Sequence, residues 1–237
     1  MSKLNTSPVI VALDVSSGGE ALALVDKCRG KAGMFKVGNQ LFMAEGPDIV
    51  RAIVERGERV FLDLKFHDIP NTVAHAAVES ASLGVSMMTI HASGGPEMIR
   101  ATRDRLDADC PDRRPLIVAV TVLTSLDEAG LRGVGVDRAP SDQVLRLARL
   151  SVDSGADGVV CSPEEIHLLR DEFGPDPTVV TPGVRMPGQS ADDQKRIATP
   201  NQAVADGANW IVVGRYVNRA DDPGKAVQEI SDSLEPD

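Results

Sequence analysis

Cysteine is scarce in this chain and follows no pattern: Cys28, Cys110 and Cys161 are the three in 237 residues. Their number is odd, their spacing wide, and no CxxC or Cys/His ligand arrangement occurs. That excludes a disulfide framework and offers no zinc site. Long hydrophobic runs are missing as well. No stretch of 18 apolar residues exists, so no membrane-spanning helix is expected. The opening "MSKLNTSPV" lacks the charged-then-apolar order of a secretory signal, which predicts a cytoplasmic protein. Positive charge is in deficit: 25 Lys and Arg against 35 Asp and Glu leave a net charge of −10. Nucleic acid and anionic membrane surfaces need basic faces, so neither is expected as the main partner. A small anion stays possible, because a local Arg or backbone N–H cluster can override the global field. The glycine patterns of dinucleotide and P-loop sites are also absent; "GVGVDR" at 133–138 is only a loop with two glycines. No cofactor and no metal are expected.

What is present is 42% hydrophobic and 25% charged, ordinary for a globular chain with a sizeable core. Eight short apolar runs alternate with longer segments of helical spacing. The runs are "VIVALD" (9–14), "MFKVG" (34–38), "RVFLDLK" (59–65), "MMTIHA" (87–92), "LIVAVTV" (116–122), "GVVCS" (158–162), "TVVTPG" (178–183) and "WIVVG" (210–214). Two helix starts read as capped: "SPEE", with Ser162 at the N-cap and Glu165 in capping-box position, and "TPNQ" at 199–202. "DSGADGVVCS" and "ADGANWIVVG" repeat one helix-end, Gly-Ala, strand junction, and "SLGVSMMTIH" is a looser copy. Repeated αβ units need glycine just past a helix. No linker-like stretch interrupts them. The pattern predicts an α/β fold, a TIM (β/α)8 barrel, as a single domain over 1–237. A doubly wound open sheet is the alternative. The loops 123–140 and 182–198 stand out by length.

The third run is unusual for a buried strand. "VFLDLKFHDIPNTV" (60–73) carries Asp63, Lys65 and Asp68 within six positions. By strand alternation Phe61, Asp63 and Lys65 share one face, and Leu62, Leu64 and Phe66 the other. A parallel barrel strand has no solvated face. The Leu/Leu/Phe side suits the helices, so the charges point inward. A buried ion pair is a poor stabiliser, whereas the C-terminal strand ends of a barrel carry its chemistry. Asp14 ends the first strand, in phase with Ile10 and Ala12, and Lys36 lies near the end of the second, in phase with Met34. Asp14, Lys36, Asp63 and Lys65 therefore converge on one mouth, with Asp68 in the loop beyond. "TPGVR" and "VVGR" follow strands 7 and 8, where barrel phosphate sites form, and offer Gly183, Arg185, Gly214 and Arg215 to a phosphate. His67, by phase, turns away from Lys65 and reads as a packing or hydrogen-bonding residue; His91 faces the mouth; His75 and His167 read as surface residues.

Through "ALDV", "FKVGNQLF", "DLKFHDIPNTV", "HASGG", "VTVLTS", "TPGVR" and "VVGR" the sequence resembles the orotidine 5′-monophosphate decarboxylase family along nearly its whole length. The resemblance implies cofactor-independent conversion of orotidine 5′-monophosphate to UMP and CO2 in pyrimidine biosynthesis. It implies that Lys65 donates a proton within a tetrad of Lys36, Asp63, Lys65 and Asp68. It further implies a homodimer, with Asp68 and Thr72 supplied by the partner subunit. Asp14 and Lys36 would hold the ribose hydroxyls, Thr124 would read the pyrimidine, and Gln194 would reach over the ligand. Arg185, Gly214 and Arg215 would serve the phosphate. Tyr216-Val217 departs from the Pro-Ile of many relatives and leaves the path of the last loop open. Two other functions fit less well. A Mg²⁺-dependent sugar-phosphate decarboxylase or aldolase of the same superfamily would want an acid near Lys36. A non-catalytic phosphoribosyl-ligand binder would not need every charged position filled.

Overall fold

A computed structural model describes residues 7–186 and 198–234. Eight parallel strands close into a barrel in sequence order: β1 (Val9–Ala12), β2 (Met34–Gly38), β3 (Val60–Phe66), β4 (Met87–His91), β5 (Leu116–Val120), β6 (Gly158–Val160), β7 (Thr178–Thr181) and β8 (Trp210–Val213). Closure is made by β1 against β8, with Val9 opposite Ile211 and Val11 opposite Val213. The barrel excludes the doubly wound alternative. Around it lie α1 (Gly18–Cys28), α2 (Asn39–Glu45), α3 (Pro47–Glu55), α4 (Pro70–Ser82), α5 (Pro96–Asp109), α6 (Glu128–Gly133), α7 (Pro140–Asp153), α8 (Ile166–Phe173), α9 (Pro200–Ala205), α10 (Arg215–Asn218) and α11 (Pro223–Asp232).

Strand alternation sorts the core into two layers. Ile10, Ala12, Met34, Phe61, Met87, Val118, Val180 and Val212 fill the barrel. Their neighbours Val11, Phe35, Leu62, Met88, Ile117, Val179 and Ile211 face the helices. The two consecutive methionines of β4 are thus split between layers. In α4, Val73, Ala74, Ala77 and Ala81 are buried; small side chains there let the helix lie close to its neighbours.

Proline opens α3, α4, α5, α7, α9 and α11, where its fixed φ suits the first turn and its missing N–H would have no partner anyway. The capping box at Ser162 and Glu165 forms, but around a single 3-10 turn, Pro163–Glu165, that leads into α8. At "TPNQ" only half the arrangement exists. Thr199 accepts from the Gln202 N–H, while the Gln202 amide turns to Asp206. The 123–140 connection is not an open loop, since it contains α6.

Several strands end one or two residues before their apolar runs do. Leu13, Val122 and Cys161 lie beyond the last ladder pair and are still buried. Hydrophobicity reports burial, whereas a ladder needs continued pairing; Leu13 and Cys161 each still donate one N–H to the next strand, to the Lys36 and Val180 carbonyls. The overrun therefore marks where the mouth loops continue the core.

The repeated Gly-Ala junction has a structural content. Gly84, Gly155 and Gly207 all sit in the left-handed region, with φ of 83°, 95° and 111°, where glycine alone is unstrained. Two residues after the second and third come Asp157 and Asn209. Asp157 accepts the Ile117 N–H at 2.8 Å, and Asn209 accepts the Val179 N–H at 2.7 Å. Each thereby caps the start of the preceding strand. Each also holds an arginine: Arg114 on Asp157 at 2.6 and 2.9 Å, and Arg170 on Asn209 at 2.6 Å. These clamps close the bottom of the barrel, away from the mouth.

Candidate active site

The chemistry-bearing side chains rise from the C-terminal ends of β1 to β3. Asp14 Oδ1 lies 3.2 Å from Lys36 Nζ, Lys36 Nζ lies 3.6 Å from Asp63 Oδ2, and Lys65 Nζ donates to Asp63 Oδ1 at 2.7 Å. Sequence reasoning brought these four together, and the structure does the same. Burial is deepest in the middle of the row. The side chains of Lys36 and Asp63 are 12% and 13% exposed, Lys65 is 32% exposed, and Asp14, at 56%, forms the solvent end. Gly38, at the end of β2, leaves room for this: a Cβ there would come within 3.0 Å of Lys36 Nζ.

Burial would push the Asp63 carboxyl up. The ammonium groups of Lys36 and Lys65, with hydrogen bonds from Lys65 and Thr89, outweigh that and hold it below the ordinary carboxylate value. The inner three groups thus form a carboxylate between two ammonium groups, with a net charge of +1.

The facing directions expected for β3 are observed, but the backbone reaches them by a different route. Phe61 joins the inner layer, and Leu64 and Phe66 pack on the outer one. Between them the register jumps: Leu62 pairs with Met88, and Phe66 with Ile90. Four residues of β3 therefore span two of β4, an irregularity of the kind that re-aims side chains. Within it Lys65 adopts φ 53°, the one non-glycine positive φ among the described residues. For an L-residue the left-handed region costs roughly 1–2 kcal/mol. The Lys65 N–H, which the ladder leaves out, donates to Thr89 Oγ1 at 2.8 Å, and Thr89 Oγ1 donates to Asp63 Oδ1 at 3.1 Å. Thr89 was missed from the sequence. The signal was there: in "MMTIHA" it is in phase with Met87 and so faces inward, one strand from Asp63.

A cavity of about 280 Å³ opens over the array. Asp14, Lys36, Asp63 and Lys65 line it together with Thr124, Gly183, Arg185, Gly214 and Arg215. A larger groove of about 640 Å³ shares Arg185, Gly214 and Arg215 and runs along α10 and α11. It lacks Lys36, Asp63 and Lys65, so the smaller cavity is the one with chemistry. The path after β8, left open by Tyr216-Val217, enters α10 directly at Arg215. Val217 is fully buried, and the Tyr216 hydroxyl donates to Glu229 at 2.6 Å.

Asp68 and Thr72 do not reach this cavity within the chain. Asp68 Oδ1 accepts the adjacent Ile69 N–H at 2.6 Å, and both Asp68 and Thr72 are exposed. Gln194 lies outside the described residues. His91 does face the mouth. Its ring centroid is 5.4 Å from that of His67. Burial, then His67 and Lys65, lower its pKa, with Asp63 opposing. His75 and His167 are exposed, as expected, and bind the Asn71 carbonyl and the Asp206 carboxylate. Among the described residues no group of three or more His, Cys, Asp or Glu is placed to hold a metal ion, and no helix is long and apolar enough to cross a membrane.

Fold and site together define a (β/α)8-barrel protein with an alternating Asp–Lys–Asp–Lys row at its mouth and arginines on the last two loops. Residues 7–230 match the model of the orotidine 5′-phosphate decarboxylase / HUMPS family. The chain belongs to that family. It is 48% identical over 226 residues to the orotidine 5′-phosphate decarboxylase of Vibrio campbellii, covering 95% of this chain and 97% of the relative. To that of Vibrio cholerae it is 48% identical over 231 residues, covering 98% and 100%. The crystal structure of the Lactobacillus acidophilus orotidine 5′-phosphate decarboxylase superposes with a TM-score of 0.87 at 39% identity, over 97% of this chain and all of the other.

Proposed function

We propose that this chain decarboxylates orotidine 5′-monophosphate to UMP and CO2, the step that supplies UMP in pyrimidine biosynthesis. The observation that carries the reading is the Lys36–Asp63–Lys65 row, a net positive and largely buried cluster at the mouth of a family barrel. Cleavage of the bond from C6 to the carboxylate leaves its electron pair on C6, in an orbital that no ring carbonyl can delocalise. An ammonium already fixed beside C6 stabilises that charge without reorganising at the moment of reaction. In this reading Lys65 is that ammonium. CO2 departs, the Lys65 N–H bond breaks toward C6, and solvent returns the proton to the amine.

The remaining roles follow from position. Asp63, held ionised, anchors both ammonium groups and crowds the substrate carboxylate. Asp14, at the solvent end, and Lys36 beside it suit the ribose hydroxyls, and Thr124 suits the pyrimidine. Arg185, Gly214 and Arg215 suit the phosphate, with arginine forks matched to its oxygens; Gln194 is proposed to reach over the ligand. Asp68 and Thr72 are proposed to enter from the partner subunit of a homodimer. Their exposure, and the 67% exposure of Ile69 between them, supports that reading.

The test is a substrate panel with and without EDTA. Orotidine 5′-monophosphate should be consumed at the same rate in both, and ketose phosphates should be untouched. An absolute Mg²⁺ requirement, or activity on ketose phosphates alone, would move the chain to the sugar-phosphate branch of its family.

A further inference from the structure

We propose that Thr89 is a positioning residue for this chemistry: its one hydroxyl receives the Lys65 backbone N–H and donates to Asp63, and so fixes the direction in which Lys65 presents its ammonium. The proposal rests on the reading of Lys65 as the proton donor.

Thr89 is fully buried on β4 and does not line the cavity, so it acts through its neighbours and not on substrate. A hydroxyl has one proton to give and lone pairs to receive with, and here both directions are used. The acceptor side meets Lys65 N at 2.8 Å, the donor side Asp63 Oδ1 at 3.1 Å. Both contacts fall where the β3–β4 register jumps, between the Leu62–Met88 and Phe66–Ile90 pairs. The hydroxyl thus replaces the ladder partner that the Lys65 N–H would otherwise lack.

Lys65 is also the residue with the left-handed backbone. Such a conformation persists only when its surroundings over-determine it, and the Thr89 hydroxyl is the fixed group that meets this N–H. The same hydroxyl shares Asp63 Oδ1 with Lys65 Nζ. One side chain therefore sets both the root of the lysine and the carboxylate its tip rests on. Valine has the same outline and neither hydrogen bond; serine keeps both.

The experiment compares Thr89→Val and Thr89→Ser in the full chain, measuring kcat and KM on orotidine 5′-monophosphate, UMP affinity and the pH profile. Misplacement of a reacting group by about 1 Å costs on the order of 100-fold in rate. Thr89→Val should lose kcat on that scale while KM and UMP affinity change little, and Thr89→Ser should return close to wild type. Asp63 faces Lys36 from β2, Lys65 from its own strand and His91 from β4, with Asp14 beyond Lys36. Losing one donor should move the acid limb of the Thr89→Val profile to higher pH. Should the valine variant fail to fold, Thr89→Cys takes its place, since a thiol is a weak donor and acceptor. A folded hydroxyl-free variant with wild-type kcat would overturn the proposal. So would a serine variant that falls as far as valine or cysteine, because the hydroxyl would then not be the cause. A wild-type chain inactive on orotidine 5′-monophosphate would instead overturn the functional reading itself.

Discussion

At the residue scale, the proposed roles separate groups that hold the ligand from groups that hold charge at C6. Arg215 is proposed for the first set. Arg215→Ala should weaken UMP binding by about 2–3 kcal/mol, the loss of a charge-assisted hydrogen bond, and titration of UMP into the variant measures it. Equal loss for uridine, which has no phosphate, would contradict that role. His91 gives a prediction in pH. Its folded pKa lies below its unfolded value of about 6.5, because burial, His67 and Lys65 disfavour its charged form. Above about pH 6.5 both states are neutral there and nothing is lost. As pH falls through that value toward the folded pKa, the unfolded state binds the proton first and stability drops. Asp63 has the opposite sign of charge and a lower window. Its contribution is present above the ordinary carboxyl range and is lost as pH falls from there through the folded pKa. Urea midpoints at pH 7.5 and 5.5 should therefore differ less for His91→Gln than for wild type. An unchanged difference would show that His91 does not carry the slope.

At the element scale, the two ends of the barrel do different work. Asp157 ties α5, β5 and β6 together through Arg103, Arg114 and the Ile117 N–H. Its removal leaves the Ile117 N–H without its acceptor and strips one carboxylate from Arg103 and Arg114, which both keep Asp107. Asp157→Ala should lose about 1–3 kcal/mol of stability, the cost of an unsatisfied buried donor, and leave KM unchanged, since the clamp lies away from the mouth. Denaturant melts and steady-state kinetics on one preparation decide this; a large KM change with little loss of stability would contradict it. The repeat in which Asp157 stands was visible in the sequence as two Gly-Ala junctions, because left-handed helix ends leave a compositional trace. Its clamp was not, because Arg114 and Asp157 meet across 43 positions. The site divides in the same way. Asp14, Lys36, Asp63 and Lys65 were legible because period-two alternation in an all-parallel strand forces a charge inward. Thr89 was not, because its part depends on a register jump, and a bulge has no residue-type signature when lysine and not glycine takes the positive φ. Strand ends were overrun for a related reason: burial continues past the ladder.

At the scale of the whole molecule, a second copy is proposed to complete the site. If Asp68 acts across a two-fold interface, Lys65→Ala and Asp68→Asn should each be severely impaired alone. In a heterodimer of the two, one site carries both lesions and the other neither. Random pairing then restores about a quarter of wild-type sites. Two differently tagged chains, with the heterodimer isolated, show whether activity returns; an isolated heterodimer without activity would place Asp68 in its own chain's site. The central claim is narrower and more directly tested: the ammonium of Lys65, held by Asp63, acts on the transition state and not on ground-state binding. The decisive measurement is decarboxylation of orotidine 5′-monophosphate by Lys65→Ala beside its affinity for UMP. Turnover should be nearly abolished while UMP binds almost as in the wild type. Turnover near the wild-type rate, or activity and UMP affinity lost in equal measure, would contradict it.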